Sequence, residues 1–207
     1  MDTATHDKTQ ALITQSSEAI KSVASLEEEL LIAAEAMKDC LASGGKILAC
    51  GNGGSASQCQ HFAAELIGRF EKERAGLGAI ALTSDGATLT AWSNDYDFST
   101  VFSRQVEALG RPGDVLLALS TSGNSTNVLA AVDAAKTQGM LTIGLCGPSG
   151  KGKLEGACEV ALCVPADATP RIQEAHLLII HLLCGLVEDG IMGAADDGRT
   201  KTDRPEA

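Results

Sequence analysis

The 207 residues carry 27 acidic against 16 basic side chains, a formal charge of −11, and are 44% hydrophobic with only 3% aromatic. Such an acidic chain, with no cluster of Lys and Arg, lacks the electrostatic footprint that a nucleic acid or a membrane surface requires, since both partners are polyanions. The length suffices for one substantial core. The expectation is a single domain over residues 1–190, followed by a flexible tail over 191–207 made mostly of Gly, Ala and charge.

The first ten residues are polar and contain no apolar leader region. Apolar residues then recur at helical intervals (Leu12, Ile13, Ile20, Val23, Leu26, Leu30, Leu31, Ala34, Met37, Leu41), so two helices or one bent helix lead to a stop at Gly44 and Gly45. Five short apolar runs follow, at 46–50, 79–82, 115–119, 141–145 and 160–164, alternating with helical patterns. That alternation predicts an α/β fold with a five-stranded parallel sheet, helices on both faces and right-handed crossovers. A final helix over 169–189 opens at Thr169 and Pro170 and closes at Gly190. Its apolar run, 177–187, is interrupted by His181 and too short to span a bilayer. The seven cysteines, odd in number and without C-x-x-C spacing, read as buried reduced thiols. A cytoplasmic protein with no membrane and no nucleic-acid partner is expected.

Four motifs carry chemistry. Gly51-Asn52-Gly53-Gly54-Ser55 lies between the first strand and the helical run 58–70, where glycines let a ligand approach the backbone; a tight turn would account for it as well. Ser120-Thr121-Ser122-Gly123-Asn124-Ser125 again joins a strand to a helix, and four hydroxyls at a helix start suit an anion better than they suit a simple cap. No Lys follows as in a nucleotide-binding P-loop. His61 and Glu65, four residues apart, project from one helix face and form either a site or a surface pair. In the last helix, Arg171-Ile172-Gln173-Glu174-Ala175-His176 precedes His181 in an apolar run, where a lone histidine is usually a bonded core residue. Gln173 and His181 stand eight residues apart, about 12 Å of helix rise, an awkward span for two ligands of one ion unless another subunit contributes.

The order and spacing of the Gly-Asn-Gly-Gly-Ser loop, His61-x-x-x-Glu65, Asn94-Asp95, Ser-Thr-Ser-Gly-Asn-Ser and Arg-Ile-Gln-Glu-x-His-x-x-x-x-His resemble the phosphoheptose isomerase branch of the SIS family, over roughly residues 42–189. The resemblance implies a SIS fold with N-terminal helices, a homotetramer, and conversion of sedoheptulose 7-phosphate to a heptose 7-phosphate used in lipopolysaccharide or other surface glycans. It implies that Asn52, Gly53, Gly54, Asn94, Asp95 and Gln173 contact the substrate, and that Ser120, Thr121, Ser122 and Ser125 hold its phosphate. Zinc would sit on His61, Glu65, Gln173 and His181, with Glu65 as base, itself touching substrate, and His181 as acid. Pro170 stands where some members carry Asp. Two other readings compete: a non-catalytic SIS protein that binds the replication initiator, in which the positions of Glu65 and His181 are replaced, and another phosphosugar isomerase, such as the arabinose 5-phosphate type with its added CBS domains.

Overall fold

The structure, a computed structural model, describes residues 3–199. Helices α1 (Thr3–Ser22) and α2 (Glu27–Ala42) are separated by one tight 3-10 turn. There follow β1 (Ile47–Gly51), α3 (Gly54–Ile67), β2 (Ala79–Ala81), α4 (Gly86–Asp95), α5 (Val101–Leu109), β3 (Val115–Ser120), α6 (Thr126–Thr137), β4 (Leu141–Cys146), the short α7 (Leu154–Ala157), β5 (Val160–Cys163) and α8 (Thr169–Arg199). All pairings are parallel, in the order β2-β1-β3-β4-β5.

Strand periodicity divides the core. Ile47, Ala49, Val115, Leu117 and Leu119 face one layer with α2, α3 and α8. Their neighbours Leu48, Cys50, Leu116 and Ala118 face the other, with α5 and α6. Strands buried on both faces read as continuous apolar runs, so the five expected strands match the five observed ones to within a residue or two. Each fully buried Leu, Ile or Val contributes about 1.5–3 kcal/mol.

Helix α8 departs from expectation at its far end. It continues through Gly190 to Arg199, so the stretch 191–199, expected to be flexible, is helical, and residues 200–207 of that tail lie outside the described residues. A glycine inside a helix costs only about 1 kcal/mol. Here a Cβ at position 190 would stand 2.7 Å from Lys38 Cδ, so Gly190 admits α2 rather than ending α8. The added length also makes Thr169–Gly193 long and apolar enough to cross a membrane by composition alone, at a mean hydropathy of 1.6 over its most apolar part. In this fold that apolar face is a core face, with Ile172, Ala175, Ile179, Ile180, Leu183, Cys184 and Val187 buried against the sheet and α2. All seven cysteines are free thiols; Cys158 and Cys163 are only half-buried.

Candidate active site

The chain leaves β1 for β2 on one side and then returns to β3 on the other, which makes the carboxyl ends of β1 and β3 a topological switch point. Gly51 and Leu119 are register partners there. Beyond them the two loops lead to opposite faces: α3 buries Cys59, Phe62 and Leu66 in one layer, and α6 buries Val128, Ala131 and Val132 in the other. A crevice of about 300 Å3 opens between them, lined by Asn52, Gly53, Gly54 and Ser55 from the first loop and by Ser120, Thr121 and Ser125 from the second. Thr169 and Gln173 at the start of α8 close its side.

The two helices that follow the loops, α3 and α6, lack side-chain caps. Gly53 occupies the N-cap of α3 at φ 56°, a conformation that only glycine takes cheaply. Ser125 occupies the N-cap of α6 but makes no capping bond; its Oγ lies 3.0 Å from Ser120 Oγ instead. By contrast α4 is capped normally, with the Asp85 carboxylate accepting from the Ala87 and Thr88 backbone N–H groups. Two uncapped N-termini with hydroxyls between them have the donors and the helix-end field that suit an anion. Ser122 lies 3.4 Å from Ser120 Oγ and lines an adjoining cleft of about 240 Å3 rather than this crevice. Gly54 lets the Gln173 amide come close: a Cβ there would stand 2.7 Å from its Nε2, and the side chain would have to move.

Helices α3 and α8 then run side by side in the same direction. Gln58 Nε2 donates to the Gln173 carbonyl at 2.7 Å, and seven residues along α3 from Gly54, His61 Nε2 stands 2.8 Å from His181 Nε2. Glu65 Oε1 is 3.4 Å from the same His61 nitrogen. In that contact one ring nitrogen donates and the other accepts. Two imidazole nitrogens and a carboxylate oxygen are donors that zinc accepts. Their spacing, however, is that of a hydrogen bond, whereas two nitrogens on one tetrahedral zinc stand roughly 3.3 Å apart. Among the described residues no group of three His, Cys, Asp or Glu is placed to hold an ion, and Gln173 stays in the crevice.

A buried staple holds this cluster. Glu188 accepts from the backbone N–H groups of Phe70, Glu71 and Lys72 at 2.8–3.1 Å, and Arg74 Nε lies 2.9 Å from its carboxylate. Burial pushes the Glu188 carboxyl up, and those N–H bonds together with Arg74 outweigh it, holding the group below the usual carboxylate range. The Arg74 guanidinium also donates to the carbonyls of Glu65 and Leu66, fixing the end of α3 that carries Glu65.

Sequence reasoning missed this staple, whose partners are more than a hundred residues apart, and it missed Asn127. Asn52 and Asn127 exchange two hydrogen bonds, each 2.8 Å. Asn94 and Asp95 are not brought to the crevice: they bond to each other, exposed at the end of α4, a helix with no buried residue. Arg171 ties α8 to α1 by donating to the Leu12 carbonyl.

Residues 12–147 match the SIS domain family. The chain is 55% identical over 174 residues to the phosphoheptose isomerase of Methylibium petroleiphilum, covering 83% of this chain and 86% of that one. It is 59% identical over 158 residues to the Thiobacillus denitrificans phosphoheptose isomerase, covering 75% and 80%. The solved phosphoheptose isomerase of Neisseria gonorrhoeae superposes with a TM-score of 0.83 at 47% identity, and that of Francisella tularensis with 0.85 at 44%; each comparison covers 89% of this chain and 98% of the other. With the switch-point crevice and the cluster along α8 already in place, these likenesses assign the chain to the SIS domain family and, within it, to the phosphoheptose isomerases.

Proposed function

We propose that this chain is a ketose–aldose isomerase converting sedoheptulose 7-phosphate to D-glycero-D-manno-heptose 7-phosphate, for heptoses of bacterial surface glycans. The observation that carries this is the shared axis of α3 and α8. At one end two uncapped helix N-termini and the hydroxyls of Ser120, Thr121 and Ser125 suit a phosphate; further along lie Glu65, His61 and His181. The names and identities of the relatives support the seven-carbon substrate. A protein that merely binds the replication initiator has no need of that carboxylate beside paired imidazoles.

In this reading the phosphate is anchored by the serine loop, which orients the sugar chain along α8. The Glu65 carboxylate removes the proton on C1 of the ketose, leaving an enediol, and a proton returned to C2 completes the aldose. His181 moves a proton between the oxygens on C2 and C1, with His61 holding its ring by the 2.8 Å contact. Turnover of sedoheptulose 7-phosphate by the purified protein, followed by a coupled assay, tests this; no turnover sinks it, and turnover only of a shorter phosphosugar shifts the substrate.

Zinc is proposed from donor chemistry alone: His61, Glu65 and His181 would hold it once the imidazoles part, and it would polarise the substrate carbonyl. No step above passes through it, and metal content of the purified protein tests it. We propose a homotetramer on the strength of the exposed apolar side chains of α1, α2 and α8, including Ile13, Leu31, Ile32 and Leu177. Association would also give Asn94 and Asp95 a crevice to enter, that of a neighbouring copy. A cytoplasmic location is proposed from the free thiols.

A further inference from the structure

The ladder between β1 and β3 reaches Gly51 and Leu119, and beyond it the glycine and serine loops diverge toward opposite faces of the sheet. Among the described residues one side-chain link joins residues 52–55 to 120–127, the reciprocal amide pair of Asn52 and Asn127. Asn127 is the second residue of α6, is 3% exposed and lines neither cleft. A buried amide is costly unless both its ends are bonded. Here both ends are bonded to Asn52, a glycine-loop side chain that lines the crevice.

We propose that Asn127 is a positioning residue that holds the glycine loop in register with the serine loop, so that both uncapped helix ends and the Asn52 amide address one anion. The pair uses one N–H and one carbonyl lone pair of each amide. Asn52 therefore keeps a second N–H and a second lone pair, fixed in direction, for the ligand. Without Asn127 that amide turns freely and the two helix ends, whose field falls off within a turn, cease to converge. The idea rests on the phosphosugar reading for the ligand's identity, but inorganic phosphate tests it separately.

The experiment compares wild type with Asn127→Leu, which removes both bonds, and Asn127→Asp, which still accepts from Asn52 Nδ2. Phosphate affinity is measured by calorimetry, and KM and kcat with sedoheptulose 7-phosphate. The expected result is that Asn127→Leu weakens phosphate binding and raises KM about tenfold, the scale of two lost neutral hydrogen bonds, while kcat falls less than about threefold. Asn127→Asp should fall between, and Asn52→Ala should add little to Asn127→Leu. If Asn127→Leu does not fold, Asn127→Asp and Asn52→Ala carry the same comparison. Phosphate binding within about twofold of wild type in these variants overturns the proposal, as does equal impairment by Leu and Asp, or a kcat loss as large as the KM rise. If phosphate binding responds as expected while wild type does not turn over the sugar, the clamp stands and the substrate assignment fails.

Discussion

Lowering the pH from 7.5 to 5 should cost this fold about 2 kcal/mol through a single side chain, His176. The ring is fully buried, its Nε2 donating to the Cys146 carbonyl at 3.1 Å and its Nδ1 left without a partner. Burial pushes the imidazole from its ordinary 6.5 down to about 4, and the bond to Cys146 opposes this only in part. Between those values the unfolded chain takes up a proton that the folded chain refuses, so stability is intact above about pH 6.5 and falls as the pH drops towards 4. At about 1.4 kcal/mol per pH unit the complete loss is ~3 kcal/mol, with about 2 of it reached by pH 5. Urea unfolding of wild type and His176→Gln at both pH values isolates this contribution, because the carboxylates that also titrate are common to both proteins. Wild type should lose about 2 kcal/mol more than the variant on acidification. If the two lose the same amount to within ~0.5 kcal/mol, the buried neutral imidazole is not what makes the core acid-sensitive.

Glu65→Gln should abolish turnover while calorimetry still detects phosphosugar binding; near-normal turnover would remove Glu65 as the base. Glu188→Ala leaves a buried guanidinium and three backbone N–H groups without their acceptor, and should lower unfolding stability by about 3–5 kcal/mol in denaturant titration. Gly123 sits at φ +65°, where a Cβ would be 2.8 Å from Gly152 Cα, so Gly123→Ala should cost at least about 1–2 kcal/mol by thermal denaturation and weaken phosphate binding by displacing the serine loop.

The sheet could be read from the chain because strands covered on both faces leave unbroken apolar runs, such as Val115–Ser120. What could not be read lacks such a signature. Helix α3 begins at Gly54, four residues before the expected start, because its first turn is Gly, Ser, Ala and Ser, with no apolar stripe. Between the second and third strands a helical pattern was expected but given no bounds; two helices stand there, α4 and α5, with Asp85 before Gly86 as a cap signal and Val101, Phe102, Gln105 and Val106 forming one buried face. The crevice residues 52–54, 120, 121 and 125 announced themselves as loops at strand ends. The residue pattern alone did not separate the histidines of α8: the family resemblance singled out His181, and packing now sets His176, sealed in the core, apart from His181, which meets His61. Asn127 offered a single hint, an amide among Val128, Leu129 and Ala131.

Helix α8 carries Gln173 at the anion crevice and His181 at the imidazole pair, with α3 bracing it at both levels. The interval between the two grips is therefore set by rigid helical rise, eight residues at about 1.5 Å each, and not by loops that can adapt. If the proposed substrate spans both grips, its length is measured against this helical rise.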